Sequence, residues 1–306
     1  MRIVSLLPAA TEIVWALGLA DDLVGISHAC DFPPGVARRP IVTRLAAALE
    51  GAPAHRVHEL AAAAAAATAP GLVTVDHEAL AALRPDLVLV GHPGRGERDD
   101  DRKLRDAVGP DASIVTLEPT SLEGMFHSIA TVGAMTDAED EAVGLVEILR
   151  ERLADVEEVV EERRDEGHHA PRVVALDWLD PLSSAGLWVP EQVRRAGGWE
   201  VLGSDGQPSR PTTWEEVAEV DPEMLLLVPC GMHLADAVRS WRASPRPRAW
   251  TEMAAVRLGQ VFALDASAYF SRPGPRVIDG IELLAEIFDP AAFVDLAPAG
   301  SWVPVQ

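Results

Sequence analysis

The sequence pattern that most constrains the fold is a helix-forming stretch ended by proline and followed at once by an apolar strand. It occurs twice, as EALAALRPDLVLV at 78–90 and as EEVAEVDPEMLLL at 215–227. Pro85 and Pro222 end the helix, because proline lacks the N–H of the helical ladder and restricts the residue before it. A strand that is apolar throughout has no face suited to water, so this pattern predicts a parallel sheet covered by helices on both faces.

Two further pairs of segments extend this internal repeat in the same order along the chain. RIVSL at 2–6 is echoed by RVVAL at 172–176, and IVTL at 114–117 by VFAL at 261–264. A chain of 306 residues also suits two domains, at roughly 100–200 residues each. The predicted fold class is α/β, with two Rossmann-like lobes, each a parallel sheet covered by helices.

The lobes are predicted to be joined by one long amphipathic helix. Residues 136–166 carry apolar side chains three or four positions apart, and Gly167 ends the pattern. The expected domains are an N-terminal lobe at 1–130, a linking helix at 131–167 and a C-terminal lobe at 168–306. An ordinary surface helix within one domain is the alternative for the middle segment. The alanine run at 61–67 is expected to be a helix in a surface insertion.

Charge and composition exclude several classes of function. The formal net charge of -22 disfavours nucleic acid and anionic membranes as partners. Lys103 is the only lysine, which leaves neither a P-loop nor a Schiff-base lysine. No stretch approaches the ~18 apolar residues of a membrane-spanning helix, and Pro8 and Glu12 interrupt the apolar start. We therefore expect no membrane insertion, no signal peptide and a cytoplasmic protein.

The candidate ligand site comprises the loops that follow the predicted strands, because ligands of parallel α/β sheets bind at the carboxyl ends of the strands. These loops carry flat aromatic side chains in a chain with only 5% aromatics. Trp178 and Trp188 flank one loop, and Tyr269–Phe270 is the only adjacent aromatic pair. Such side chains suit a large planar ligand. Four other tryptophans are expected in the core, namely Trp199, Trp214, Trp241 and Trp250.

Two thiols and several imidazoles leave metal binding or catalysis open. His28 and Cys30 would come from one lobe, Cys230 and His233 from the other, and soft ligands of this kind suit zinc, copper or iron. Buried structural cysteines are the plain alternative, and one disulfide is possible. Three further histidines are expected at the surface, namely His77, His168 and His169. No nucleophile elbow, zinc-protease motif or dinucleotide motif is present, so binding is favoured over turnover.

Several segments resemble the cobalamin-binding proteins of ABC importers, and the similarity runs over nearly the whole chain. The matching segments are RIVSLLPAATEI at 2–13, 17–25, CDFPP at 30–34, ALRPDLVL at 82–89, DPL at 180–182, AGG at 196–198 and SRPGPR at 271–276. The chain looks closest to an intracellular branch of that family. The resemblance implies two α/β lobes tethered by one helix, with vitamin B12, haem or a siderophore bound between them. The expected ligand-binding residues are His28, Phe32, His92, Trp178, Trp188, Cys230, Tyr269, Phe270 and Arg272.

The leading hypothesis is a non-catalytic binding protein for cobalamin or a related corrinoid, with haem or a metal ion as lesser possibilities. Gly91–His92 stands where the family often has a tryptophan, so an enzyme or a metal-binding protein on the same scaffold is the alternative. That alternative would use His28, Cys30, His92, Cys230 or His233. A third hypothesis is an importer component that docks onto an ABC permease, if a leader peptide precedes Met1.

Overall fold

The computed structural model describes residues 1–49, 57, 72–91, 98–246 and 248–305. The alanine run at 61–67 and His92 lie outside the described residues. The chain divides into two units, which are described separately. Unit 1 comprises residues 1–119 and 126–146, and unit 2 comprises residues 120–125 and 147–306.

The sheet of unit 1 is parallel, as predicted. Its strands follow the order β2-β1-β5-β6, and a separate antiparallel pair is formed by β3 and β4. The strands are β1 (Ile3–Ser5), β2 (Leu23–Ile26), β3 (Thr43–Leu45), β4 (Val73–Val75), β5 (Leu87–Val90) and β6 (Ser113–Thr116). The helices are α1 (Pro8–Ala16), α2 (His77–Leu83), α3 (Arg98–Val108) and α4 (Leu122–Met135), and α4 begins in unit 2.

Unit 2 repeats this order and adds antiparallel strands. Four strands pair in parallel as β9-β7-β11-β12, the order of β2-β1-β5-β6 in unit 1. The strands are β7 (Arg172–Leu179), β8 (Leu182–Ser184), β9 (Trp199–Glu200), β10 (Arg210–Pro211), β11 (Met224–Leu227), β12 (Val261–Leu264) and β13 (Trp302–Pro304). The predicted parallel sheet is present, and three strands that the sequence did not predict, β8, β10 and β13, pair antiparallel. β8 follows β7 after two residues, and so short a connection allows only a hairpin.

One long helix, α5 (Glu139–Asp165), lies in the predicted linking segment. It begins three residues later than predicted, and Asp137 before it takes a left-handed backbone conformation with φ of 53°. The other helices of unit 2 are α6 (Val189–Arg195), α7 (Trp214–Val220), α8 (Leu234–Ala243), α9 (Ala254–Arg257), α10 (Ala266–Tyr269) and α11 (Val277–Phe288). Within unit 2, α5 is tied to α11 by Arg152, whose guanidinium donates to Glu282 at 2.9 Å and Asp279 at 2.6 Å. In the described part of the chain, no helix is long and apolar enough to cross a membrane.

The proline-ended helices of the repeat are confirmed and end alike. α2 is followed by Arg84 and α7 by Asp221, both left-handed, with φ of 44° and 40°. Each of these residues donates its N–H three residues back, to Ala81 and Ala218, and the proline then prevents further helix. The chain is thereby turned directly into β5 and β11, the buried central strands of their sheets.

Three of the four tryptophans predicted in the core pack together in unit 2. Trp241 is fully buried and Trp250 is 8% exposed, with ring centroids 5.0 Å apart. Trp214 is half-buried and its ring centroid lies 5.5 Å from that of Trp250. The prediction was wrong for Trp199, which is 57% exposed. It lies on the short strand β9, where the guanidinium of Arg172 sits 5.3 Å from its ring centroid.

We expect Trp241→Ala to lower the free energy of unfolding by about 3–5 kcal/mol, because it removes a large side chain from a closed core. Trp199→Ala is the matched control and should cost less than about 1 kcal/mol, since it loses mainly an exposed contact with arginine. Urea denaturation of both variants measures the difference. Equal losses would contradict this assignment of core and surface.

Glu200 places a carboxyl group among backbone donors at the end of β9. Its oxygens accept from the N–H groups of Ala175 at 2.8 Å and of Leu202 and Gly203 at 3.0 Å. Burial nevertheless raises the pKa of Glu200 to about 7, because desolvation of the charged form outweighs these hydrogen bonds. The folded state therefore retains this proton at a pH where an unfolded chain has lost it.

This raised pKa predicts a pH-dependent loss of stability. The folded state binds more protons between the ordinary pKa of 4.5 and the raised value of about 7, so the contribution of Glu200 falls as pH rises through that window. Urea denaturation between pH 5 and 8 should show the stability of the wild type falling relative to Glu200→Gln, which does not titrate. A constant difference between the two proteins across that range would refute the raised pKa.

Candidate functional site

His28 lies in unit 1 just beyond the carboxyl end of β2 and is held by Thr43. The backbone N–H of His28 donates to Thr43 Oγ1 at 2.9 Å, and the ring Nδ1 lies 2.7 Å from the same oxygen. The residue is half-buried, and this burial lowers the pKa of His28. The imidazole is therefore neutral at neutral pH and fixed at its Nδ1 side.

Cys30 and Phe32 follow in the same loop and differ in accessibility. Cys30 is 7% exposed, and its sulfur lies 3.0 Å from the hydroxyl of Thr11 on α1. Phe32 is 39% exposed and presents an aromatic ring at the surface of unit 1. This placement suits Cys30 to packing and Phe32 to contact with another molecule. His92 lies outside the described residues, so its predicted role stays a prediction.

In unit 2, two predicted aromatic residues are half-buried near the carboxyl ends of the parallel strands. Trp178 lies within β7 rather than after it, and its Nε1 donates to the carbonyl of Asp180 at 3.0 Å. Tyr269 ends α10, and the guanidinium of Arg276 lies 5.8 Å from its ring centroid. Both rings are thus oriented by polar contacts and retain accessible surface.

Trp188 and Phe270 are buried instead, at 7% and 2% exposure. Trp188 Nε1 donates to the Phe270 carbonyl at 2.9 Å, and Gln192 on α6 donates from Nε2 to the Tyr269 carbonyl at 3.0 Å. These residues offer little surface to a ligand, and they fix the backbone that carries Tyr269. Gln192 could not be predicted from the sequence, because a polar residue in a short helix has no pattern that reveals a buried partner.

Arg272 is also buried, at 9% exposure. Its guanidinium donates to Ser267 Oγ on α10 at 2.9 Å. The arginine thereby links the turn SRPGPR at 271–276 to the helix before it. Its contact with a ligand stays a prediction, whereas its hydrogen bond to Ser267 holds the turn against α10.

A polar cluster surrounds Cys230 after β11. Its backbone N–H donates to the Asp177 carbonyl at 2.9 Å, the next N–H, of Gly231, donates to Ser271 Oγ at 2.9 Å, and the Ser209 hydroxyl donates to the Asp177 carboxylate. Local desolvation, followed by the charge of Asp177, raises the pKa of the Cys230 thiol, and a hydrogen bond with Ser271 opposes the shift. The thiol is therefore protonated at neutral pH.

His233 forms a second polar pair at the same edge of the sheet. Its Nδ1 lies 3.1 Å from both carboxylate oxygens of Asp265, which also accepts from the N–H of Ala268 as the N-cap of α10. Neither Cys30 nor Cys230 forms a disulfide bond. Across the described residues, no group of three or more His, Cys, Asp or Glu side chains is placed to hold a metal ion.

Comparison with known proteins identifies the family of this chain. The family model for periplasmic binding proteins matches residues 3–268, which covers both sheets apart from β13. This chain belongs to the periplasmic binding protein family. Its members are substrate-binding proteins, so the coarser part of the predicted function, ligand binding, is confirmed, as is the α/β fold class.

Two relatives in sequence and one similar structure illustrate the range of proteins that this chain resembles. It is 26% identical over 294 residues to an uncharacterised ABC transporter substrate-binding lipoprotein, YvrC, of Bacillus subtilis (strain 168), covering 95% of this chain and 81% of the relative. It is 24% identical over 288 residues to a vitamin B12-binding protein of Vibrio cholerae, covering 92% and 86%. A periplasmic heme-binding protein of Pseudomonas aeruginosa has a similar fold, with a TM-score of 0.71, 21% identity and coverage of 95% and 93%.

The environment of Cys230 predicts slow alkylation. In a Cys30→Ser background, Asp177→Asn should accelerate the reaction of the Cys230 thiol with iodoacetamide several-fold at pH 7.5, because it removes the negative charge that raises the pKa. Ser271→Ala should slow it, since the opposing hydrogen bond is lost. Mass spectrometry of the labelled protein gives the rates. Asp180→Asn, an exposed neighbour, is the control, and a change of the same size there would contradict a specific effect of Asp177.

Proposed function

We propose that this periplasmic binding protein binds a corrinoid or a similar large tetrapyrrole-like ligand and releases it chemically unchanged. The observation that carries the proposal is the pair of accessible, oriented rings of Trp178 and Tyr269 near the carboxyl ends of the parallel strands in unit 2. Flat rings of this kind offer a large contact area at low cost in side-chain entropy. Large planar ligands gain most from such surfaces.

The support beneath Tyr269 favours a preformed site. Trp188 and Gln192 hold the carbonyls of residues 269 and 270 from the buried side, so the ring is mounted on backbone that has few alternatives. A preformed site binds with less loss of conformational entropy than a flexible one. The buried predicted residues, Trp188 and Phe270, thus support ligand binding indirectly.

Unit 1 is proposed to contribute His28, Phe32 and His92, as the sequence resemblance implies. The Nδ1 of His28 is engaged with Thr43 at 2.7 Å, which favours Nε2 as the nitrogen that would meet a ligand. A neutral imidazole whose other nitrogen is held by a hydrogen bond is the usual form of a metal-ligating histidine. His28 is therefore our candidate for an axial contact with the central metal of the ligand.

The names of the relatives support this ligand class without choosing within it, because one is a vitamin B12-binding protein and another a heme-binding protein. The environments of the two thiols argue against a catalytic cysteine. Cys30 is buried against Thr11, and Cys230 has a raised pKa, whereas a nucleophilic cysteine needs a lowered one.

Calorimetric titration with cyanocobalamin, hydroxocobalamin and hemin tests the proposal. We expect saturable binding of a corrinoid at one site, and Trp178→Ala and Tyr269→Ala should each weaken it roughly tenfold. Trp199→Ala is the matched control, since it removes an exposed tryptophan outside the site, and should leave the affinity unchanged. Mass spectrometry of the recovered ligand should show no change in mass.

The possible outcomes separate the parts of the proposal. Binding of hemin alone would retain the tetrapyrrole class and overturn the corrinoid assignment. Absence of saturable binding for all three ligands would overturn the proposed function, and a ligand of altered mass would overturn release without turnover. A change in the visible spectrum of bound hydroxocobalamin in His28→Ala is expected if His28 contacts cobalt.

We also propose that the protein is cytoplasmic, and that an ABC permease is its partner only if the protein is exported. A cytoplasmic protein would store or deliver its ligand, whereas docking onto an ABC permease requires export. Fractionation of cells that express the gene from its own start codon distinguishes the two, and recovery outside the cytoplasm would overturn the cytoplasmic proposal.

A further inference from the structure

Unit 2 contains a cavity of about 570 Å³ at the amino ends of its parallel strands. Pro171 just before β7, Met224 at the start of β11 and Gln260 just before β12 all line it. The strands β7, β11 and β12 are parallel neighbours, so this cavity lies at the edge of the sheet opposite to the carboxyl ends near Trp178 and Tyr269. It is therefore distinct from the proposed corrinoid site.

The end of α5 builds one wall of the cavity. Gly167 is left-handed, with φ of 93°, its N–H donates to the Arg164 carbonyl, and the N–H of His168 donates to the Arg163 carbonyl, both at 3.0 Å. This is the Schellman arrangement, in which glycine allows the chain to reverse while the last carbonyls stay bonded. The reversal places the adjacent imidazoles of His168 and His169 on the cavity wall together with the two arginines.

The charges on this wall leave donors for an anion. Arg163 is occupied, because it donates to Asp289 at 2.7 Å and to Glu166 at 2.6 Å, and His169 lies 3.1 Å from Glu223. Among the residues that the structure describes, no carboxylate forms an ion pair with Arg164, and its side chain is exposed.

The imidazole of His168, which lines the same cavity as Arg164, adds a second donor. Arg163 NH2 lies 3.3 Å from His168 Nδ1. A guanidinium is always a donor, so Nδ1 is the acceptor and the ring proton of a neutral His168 lies on Nε2. The exposed Arg164 guanidinium and the Nε2–H of His168 are thus two donors on residues that line this cavity.

The remaining lining is apolar. It includes Met224, Leu258, Phe288 and Phe293. Leu258 is 60% exposed, and Val294, next to Phe293, is 68% exposed. Large aliphatic side chains this exposed beside a cavity leave apolar surface in water that a ligand would cover. The volume lies within the roughly 300–1,000 Å³ of small-molecule sites.

We propose that this cavity is a second binding site, for a small organic acid with an apolar body. The acid group pairs with Arg164 and His168, and the body lies against Leu258, Phe288 and Phe293. The cations are confined to one wall, so the ligand binds with its acid group toward the end of α5. The site does not depend on the proposed corrinoid function.

Two fluorescent probes of nearly the same shape test the charge requirement. They are 8-anilinonaphthalene-1-sulfonate, which carries an acid group, and N-phenyl-1-naphthylamine, which does not. We expect the anionic probe to bind at one saturable site. Arg164→Ala should weaken the anionic probe roughly fivefold and leave the neutral probe unchanged, with Arg242→Ala in the last turn of α8 as the matched control.

The apolar part of the site is tested in the same way. Leu258→Ser should weaken both probes roughly fivefold, while Ile148→Ser, an exposed aliphatic residue of unit 2 outside the cavity lining, should leave both unchanged. Both test residues are exposed, so the variants are expected to fold, and circular dichroism checks this.

Three results would overturn the proposal. They are no saturable binding of the anionic probe, equal weakening of both probes by Arg164→Ala, and displacement of the anionic probe by cyanocobalamin in equilibrium dialysis. Failure of cyanocobalamin to bind at all would overturn the proposed corrinoid function and leave this site intact, so the two proposals fail independently.

Discussion

The parallel pairing of strands with no solvent-facing side is the constraint on which both units depend. β5 and β11 are apolar throughout and nearly fully buried, and each pairs with strands on both sides. Their backbone donors and acceptors have no access to water, so neighbouring strands have to satisfy them. Every connection between such strands then runs from the carboxyl edge of the sheet back to the amino edge. In each unit, the loops that follow the parallel strands therefore lie at one edge of the sheet, and the loops that precede them lie at the other.

The carboxyl edge of unit 2 combines accessible rings with a rigid support. Tyr269 and Trp178 retain accessible surface, whereas Trp188, Gln192 and Arg272 are buried and bonded to the backbone or side chains beneath them. Trp188 and Gln192 hold the backbone that carries Tyr269, and Trp178 is held by its own bond to the Asp180 carbonyl. A loop built in this way is suited to holding a ligand by shape, and the protonated thiol of Cys230 within it is poorly suited to nucleophilic chemistry.

The amino edge of the same sheet has a different composition. There the long helix ends in a left-handed glycine, and the chain that follows brings two imidazoles and two arginines beside apolar side chains. Asp289 and Glu166 pair with Arg163 and Glu223 lies beside His169, whereas Arg164 has no ion-paired carboxylate in the described part of the chain. The lining of this cavity thus combines two arginines and three carboxylates with exposed aliphatic surface.

The sequence by itself determined the elements and their order, because the physical causes are local. Proline beyond the first turn cannot continue a helix, and apolar strands have to be buried, so the repeat around Pro85 and Pro222 and the long helix up to Gly167 could be predicted. Tertiary structure alone decided which side chains are accessible. Trp188 and Trp199 look alike in sequence, yet one is buried under Phe270 and the other lies exposed on the short strand β9. The bonds of Gln192, the raised pKa of Glu200 and the cavity at the end of α5 likewise depend on residues far apart in the chain, which no local pattern brings together.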